Sequence, residues 1–153
     1  AMGGVFLNSS LEWNIICDPE AARIVMDYAG QLEMFGLDVT KYCRIPDNFM
    51  TQLCPEDNER MQYFKKGVRI FQEKTGYSCT FHDVLVIAYL LDSTVAEMEQ
   101  DDFTVELAGA RTRGSIVFNT NAYDINKDVR KKFYYAKSID VEKFMKMVKE
   151  RIF

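Results

Sequence analysis

The sequence predicts an α/β fold for this chain of 153 residues. Near its start, "DPEAARIVMDYAG" has the pattern of a capped helix. "LEMFGLDV" follows closely, alternates in polarity and is flanked by turn residues, which is typical of a short strand. A helix followed closely by a strand is the rhythm of α/β proteins. The length fits one domain, 1–153, which would bury about two-thirds of its unfolded surface.

The first helix is predicted from its boundaries. Asp18 can cap it, Pro19 suits its first turn, and Gly30 can end it. Its apolar residues recur at helical spacing and would form a buried stripe of Ala22, Val25, Met26 and Ala29.

A loop and a second helix follow. Residues 41–57 contain two prolines and no sustained period, so we predict a loop with room for one helical turn. Residues 58–74 form an amphipathic pattern that Gly76 can end. The buried face of this helix would comprise Met61, Phe64, Val68 and Phe71.

The segment "TFHDVLVIAYLLD" is apolar from Val84 to Leu91 with no polar face. Periodicity alone does not separate a buried helix from a buried parallel strand in such a run. Thr80 and Asp83 have the spacing of a capping box, which favours a helix that begins near Phe81. A helix that is apolar on all sides should be enclosed by other elements.

The C-terminal third is predicted as strands followed by a helix. The strand candidates are "DFTVEL", "GSIVFN" and "KKFYYAK", and the acidic pair Asp101–Asp102 before the first of them is interpreted as a solvated turn. "DVEKFMKMVKERIF" closes the chain as a helix with Asp140 as its cap. Its inward face would comprise Val141, Phe144, Met145, Val148 and Ile152.

Composition and charge exclude several classes of protein. Hydrophobic residues make up 48% and the formal net charge is −4, which argues against disorder and against general nucleic-acid binding. The basic run from Lys127 to Lys132 is interrupted by an aspartate and is interpreted as solvated. Four cysteines without a CxxC pair and a single histidine argue against a structural zinc site and fit free thiols. We found no signal-peptide pattern and no membrane-spanning stretch, so we expect a cytoplasmic protein that does not bind membranes. Ala1 before Met2 is interpreted as a cloning remnant.

Two short stretches carry candidate functional residues. His82, the only histidine, stands beside Asp83 at the predicted start of the apolar helix. There, a neutral imidazole could donate a proton and a carboxylate could bind a hard cation. The alternative is a half-buried histidine bonded to a backbone carbonyl, beside a helix cap.

The second stretch comprises Glu12, Trp13 and Asn14, just before the first helix. Ligand-binding groups gather at such strand ends in open α/β sheets. The alternative is that the acid and the amide contact water and that the tryptophan belongs to the core. From the residues alone, the ordinary interpretation is favoured for both stretches.

Six segments, in register, resemble one enzyme family. "MGG" at a strand end, "EWNIICDPEAARIV", "GLDVT", "HDVLVIAYLLD", "TRGSIV" and "DVEKFMKMVKERI" occur in the order seen in nucleoside hydrolases of the inosine–uridine-preferring type. The resemblance implies an open, mostly parallel sheet flanked by helices, with the active site at the carboxyl ends of its strands. It also implies hydrolysis of the N-glycosidic bond of a ribonucleoside to base and ribose. In this family a bound Ca²⁺ holds the ribose hydroxyls and a water, which an aspartate activates.

The resemblance assigns roles to particular residues. His82 takes the position of the group that protonates the departing base, and Asp83 falls among the calcium ligands. Glu12 and Asn14 take positions that hydrogen-bond the ribose, and Trp13 stands where the family usually has an aromatic residue. Leaving-group protonation and metal positioning of the nucleophile both fit the general chemistry of glycoside cleavage.

The chain departs from the family pattern in three respects. Asn8 corresponds to an upstream ribose-binding asparagine, but its gap to Glu12 is shorter than in the best-known members. The chain has roughly half the family's usual length and matches the C-terminal half. It lacks the DxDxxxDD cluster that supplies most calcium ligands, so Asp83 would leave the ligand set incomplete.

Three hypotheses follow from these departures. The chain is the C-terminal part of a nucleoside hydrolase, inactive until the missing half associates with it. Alternatively, it is a non-catalytic truncated remnant that forms a homo-oligomer through an exposed sheet edge. The third hypothesis is a small α/β protein that binds a nucleoside or ribose without hydrolysis.

Overall fold

A computed structural model describes residues 1–8, 10–46, 58–118 and 132–152. The predicted α/β class is confirmed, with a mixed sheet and helices. The chain divides into two compact units, each described by itself. The sheet unit comprises Ala1–Val39 and Ala96–Ile139, and the helical unit comprises Thr40–Val95 and Asp140–Phe153.

The described residues form six α-helices, one 3₁₀ turn and five strands. The helices are α1 (Trp13–Cys17), α2 (Pro19–Tyr28), α3 (Leu37–Thr40), α4 (Glu59–Thr75), α5 (His82–Leu91) and α6 (Val141–Ile152), and the 3₁₀ turn is Ser93–Val95. The strands are β1 (Glu33–Met34), β2 (Ala96–Asp101), β3 (Phe103–Val105), β4 (Ile116–Phe118) and β5 (Phe133–Ile139). None of the helices in the described ranges has the length and apolar content needed to cross a bilayer.

The sheet unit contains a three-stranded sheet in the order β1-β5-β2 and an antiparallel pair, β3-β4. β1 runs parallel to β5, and β2 runs antiparallel to it. Met2 forms a parallel bridge with Phe35, directly after β1. The core of this unit is aromatic: the ring centroid of Phe6 lies 5.0 Å from those of both Phe103 and Tyr135. Such ring pairs add to the stabilisation from apolar burial.

The helical unit has its own buried residues. Phe64 of α4 stacks on Phe81, with ring centroids 6.2 Å apart. Leu85 of α5 and Phe144 of α6 are both fully buried, and these two helices pack on each other. α6 begins as predicted, since the carboxylate of Asp140 accepts from the N–H of Lys143 at 2.9 Å.

Local helix signals were largely correct. The carboxylate of Asp18 accepts from the N–H of Ala21 at 2.9 Å and caps α2. Gly76 ends α4 in the left-handed conformation with φ 71°. α5 begins next to Phe81, as expected, but no side chain caps it, so the predicted capping box of Thr80 and Asp83 is wrong.

Several predicted faces and strand limits were also wrong. "LEMFGLDV" is a strand only at Glu33–Met34, because the chain turns at Gly36 and continues as α3. β2 was missed, and Asp101 lies in it. Three residues predicted to face inward are exposed: Val25, Phe71 and Ile152.

Helix α5 is not enclosed on all sides by the described residues. Leu85 and Ala88 are buried, but Ile87, Leu90 and Leu91 are exposed, Leu90 to 73%. The expectation that this apolar helix is covered all round is therefore wrong for the described part of the chain. Cys54 and residues 127–131 of the basic run lie outside the described residues, and Lys132 is exposed.

Candidate functional site

The N-terminal segment pairs through an isolated bridge with the chain after β1 and then reaches a turn at Gly4, where the backbone is left-handed. The N–H of Gly3 donates to Phe35 O at 3.1 Å, and the N–H of Leu37 donates to Gly4 O at 2.8 Å. Gly4 has φ 81°, and a Cβ there would lie 2.8 Å from Cγ1 of Ile116. Only glycine meets both conditions, so the turn depends on this residue.

Glu12 lies beneath this turn and is 4% exposed. Its carboxylate accepts from the backbone N–H of Gly4 at 3.0 Å, of Asn14 at 2.8 Å and of Ile15 at 3.2 Å. It is the N-cap of α1, where a negative charge is favoured by the free N–H groups of the first turn. Glu12 therefore joins the turn at Gly4 to the first turn of α1.

Asp38 is a second buried carboxylate, and the sequence interpretation missed it. It is 6% exposed and accepts from the N–H of Phe6 at 2.5 Å and of Leu7 at 3.4 Å. Its position in the first turn of α3, after Gly36, was the available signal. Its partners lie 31 and 32 residues away in sequence, so no local pattern identifies them.

The other predicted residues of this region are exposed. The amide of Asn14 donates to Met2 Sδ at 3.1 Å and to Met2 O at 3.5 Å. Trp13 is 73% exposed, so the alternative that it belongs to the core is wrong. Oδ1 of Asn8 accepts from the N–H of Ser10 at 2.8 Å, which is an Asx turn within its own loop. Glu12, Trp13 and Asn14 thus lie together beside the turn at Gly4, with the amide and the indole exposed to solvent.

His82 is the first residue of α5 and is half-buried. Its Nδ1 lies 2.9 Å from Oγ1 of Thr40, which is 0% exposed. The expected half-burial is present, but this bond joins the ring to a hydroxyl and not to a backbone carbonyl. His82 and Asp83 belong to the helical unit, whereas Glu12 and Asn14 belong to the sheet unit.

Two of the cysteines are unsuited to nucleophilic chemistry. Burial raises the pKa of the Cys43 thiol to about 12 and also raises the pKa of Cys79. Because the thiolate is the reactive form, the raised pKa lowers the reactivity of both thiols near neutral pH.

Comparison with known proteins identifies the family. Residues 1–146 match the profile of the family described as inosine-uridine preferring nucleoside hydrolase. This chain belongs to that family. The predicted family resemblance is confirmed.

Nucleoside hydrolases from several sources resemble the chain over part of their length. The inosine-uridine preferring nucleoside hydrolase of Crithidia fasciculata is 32% identical over 128 residues, which are 76% of this chain and 40% of that protein. The Leishmania major protein of the same name is 28% identical over 141 residues, 90% of this chain and 44% of that protein. A solved structure named inosine-guanosine nucleoside hydrolase superposes with a TM-score of 0.83 at 22% identity, over 97% of this chain and 49% of that one, which shows a shared fold. The chain spans less than half the length of each of these three proteins.

The family resemblance implies a bound calcium ion, which needs more ligands than the described residues offer. Asp83 is exposed in the first turn of α5. Across the described ranges, no group of three histidine, cysteine, aspartate or glutamate side chains could hold a metal ion. Ca²⁺ takes about six to eight oxygen ligands. The described residues therefore do not fit a calcium site by themselves.

Proposed function

We propose that this chain is the C-terminal part of a nucleoside hydrolase, and that the complete enzyme hydrolyses ribonucleosides to base and ribose. The observation that carries the proposal is the family match over residues 1–146. The relatives named above carry this activity in their names, and the chain corresponds to 40% and 44% of their lengths.

The ribose is held, in this proposal, beside the turn at Gly4. Asn14 contributes its exposed amide, and Trp13 contributes an exposed aromatic face. Asn8 has an amide nitrogen that its Asx turn does not use. Glu12 has three backbone donors on its carboxylate, which leaves about one lone pair for a sugar hydroxyl. Its larger contribution is to hold the turn and α1 in place.

His82 serves as the group that meets the departing base. Cleavage of an N-glycosidic bond leaves negative charge on the base nitrogen, and a donated proton or hydrogen bond stabilises that charge. His82 is the only imidazole in the chain, so no other histidine of this chain is available for the task. Asp83 would supply one ligand to a bound Ca²⁺, and the polypeptide encoded upstream would supply the others.

Exposed apolar residues support the idea that further polypeptide covers this chain. Ile87, Leu90 and Leu91 are exposed on α5, and Ile24 and Tyr28 are exposed on α2. Large clusters of exposed apolar side chains usually mark a surface that another polypeptide covers. The N-terminal half of the enzyme, or a second copy of the chain, would cover them.

The test compares two proteins: the chain alone, and the chain preceded by the polypeptide encoded immediately upstream of it. Each is incubated with inosine and with uridine, with and without Ca²⁺, and the released reducing sugar is measured. We expect hydrolysis by the longer protein only, dependent on Ca²⁺ and abolished by His82→Ala. Tyr77→Ala, a change at an exposed aromatic residue, is the matched control and should leave the rate unchanged.

Each other outcome rejects part of the proposal. Hydrolysis by the chain alone would show that it is not an incomplete enzyme. A folded longer protein that hydrolyses neither nucleoside would reject the proposed activity. Calorimetric binding of ribose by such an inactive protein would favour the nucleoside- or ribose-binding alternative, for which the exposed amide and indole beside Gly4 are the supporting observation.

A further inference from the structure

We propose that Thr40 is a positioning residue for His82: its hydroxyl donates to Nδ1, so that the neutral ring carries its proton on Nε2. The effect on catalysis rests on the proposed function, in which His82 meets the departing base. The hydrogen bond itself is observed within the helical unit, where Oγ1 of Thr40 and Nδ1 of His82 are 2.9 Å apart.

The direction of this hydrogen bond follows from burial. Thr40 is the last residue of α3 and is 0% exposed, so its hydroxyl has no access to water. Within the described residues, its side chain makes one hydrogen bond, to the ring of His82. A buried hydroxyl that only accepts leaves its own proton without a partner, which is costly. Donation to Nδ1 satisfies the hydroxyl and requires that Nδ1 carry no proton.

The tautomer decides what the ring can offer to a substrate. A neutral imidazole has one N–H and one lone pair, and the bond made by one nitrogen sets the state of the other. With Nδ1 occupied by Thr40, Nε2 presents an N–H, which is the group needed beside a base nitrogen that gains negative charge. The other tautomer would present a lone pair there and would repel the leaving group.

The single histidine makes this testable by NMR on the chain itself. Histidine labelled with ¹⁵N gives only two ring nitrogen signals, and their shifts report which nitrogen carries the proton. The spectra are recorded over a pH series, and those that no longer change with rising pH are used, because the ring is then neutral. The same chain unfolded in urea supplies the signals of a ring that exchanges freely between tautomers.

We expect the folded chain to show one tautomer, with the proton on Nε2 and the Nδ1 signal displaced from its value in urea. Thr40→Ser keeps a hydroxyl and should keep that spectrum. Thr40→Val has a similar shape without the hydroxyl, and its signals should move towards the urea values. Thr104→Val is the matched control, since it removes another buried hydroxyl, from β3 in the sheet unit, and should leave the ring signals unchanged.

A proton on Nδ1 in the folded chain, or identical spectra for the wild type and a folded Thr40→Val, would overturn the proposal. Circular dichroism shows whether Thr40→Val folds. If it does not, the proposal is judged on the other two proteins: both the wild type and Thr40→Ser must carry the proton on Nε2. In the complete enzyme, Thr40→Val should lower kcat by up to about a hundredfold, which is part of the roughly 10²–10⁴-fold that a positioned acid contributes, with little change in KM. A single Nε2–H tautomer without any hydrolysis would reject the proposed function and leave the role of Thr40 intact. If Thr40→Val keeps its full kcat while His82→Ala is inactive, the role of Thr40 is rejected and the proposed function stands.

Discussion

Substitution of Glu12 by alanine should destabilise the chain far more than loss of an ordinary helix cap. The carboxylate accepts three backbone N–H groups, and those of Gly4 and Ile15 are buried. Each buried hydrogen bond to a charged acceptor contributes about 1.5–3 kcal/mol, and the part-buried bond from Asn14 contributes less. We therefore expect Glu12→Ala to lower the free energy of unfolding by about 3–6 kcal/mol. Since domains are stable by about 5–15 kcal/mol, this is a large share.

The assay is urea denaturation followed by far-UV circular dichroism, with two reference variants. Glu12→Gln keeps one acceptor oxygen but places an amide NH₂ against backbone donors, so its loss should be intermediate. Asp18→Ala removes an exposed cap that makes a single bond to Ala21, and it should cost about 1 kcal/mol. If Glu12→Ala costs no more than Asp18→Ala, the carboxylate does not hold the turn and the helix together, and the reasoning fails.

Four further predictions concern stability. The hydroxyl of Thr104 is buried without a hydrogen-bond partner in the described part of the chain, so Thr104→Val should raise the free energy of unfolding by about 1 kcal/mol in urea. Hydrogen bonds from Lys143 and Thr94 lower the pKa of Asp92 from 3.8 to about 2, so this carboxylate stabilises the fold above pH 3.8, and that contribution is lost as the pH falls towards 2. The difference in urea midpoint between wild type and Asp92→Asn should therefore shrink over that range, and a constant difference would contradict it. Gly67→Ala, in α4 with open space around it, should stabilise by about 0.5–1 kcal/mol. Gly4→Ala should destabilise by more than about 1 kcal/mol in the same assay, because its φ is 81° and Ile116 is in the way.

The helices were predictable because their signals are local. The caps of α2 and α6 reach only three residues along the chain, and Gly76 ends α4 by its own backbone conformation. β2 was missed because its sequence, "AEMEQD", has little strand propensity. This strand is held by β5, with Lys137 paired to Glu99 at 3.0 Å and Ser138 donating to Glu97 at 3.0 Å. Pairing between segments about forty residues apart does not appear in a local pattern.

The candidate site was predictable only in part, for the same reason. Glu12 and His82 were identified through the family resemblance, while their chemistry alone favoured an ordinary interpretation. Thr40 bonds to His82, which is 42 residues away in sequence, and Asp38 accepts from the N–H of Phe6, which is 32 residues away. Neither partner can be predicted from sequence spacing. The burial of Glu12 and the exposure of Trp13 depend on how the N-terminal turn packs. The substrate roles of Glu12, Asn14 and His82 stay predictions until activity is measured.

Asn14, and not Glu12, is the residue whose substitution can test ribose binding. Any loss of activity in Glu12→Ala would combine loss of a sugar contact with collapse of the turn at Gly4, because one carboxylate serves both. The side chain of Asn14 is exposed, and its two hydrogen bonds to Met2 are weak, since one is to sulfur and the other is 3.5 Å long. Asn14→Ala should therefore change stability by less than about 0.5 kcal/mol, as exposed positions do. In the complete enzyme it should raise KM for inosine and uridine alike, since it would contact the sugar they share. A KM change for only one nucleoside would assign Asn14 to the base instead.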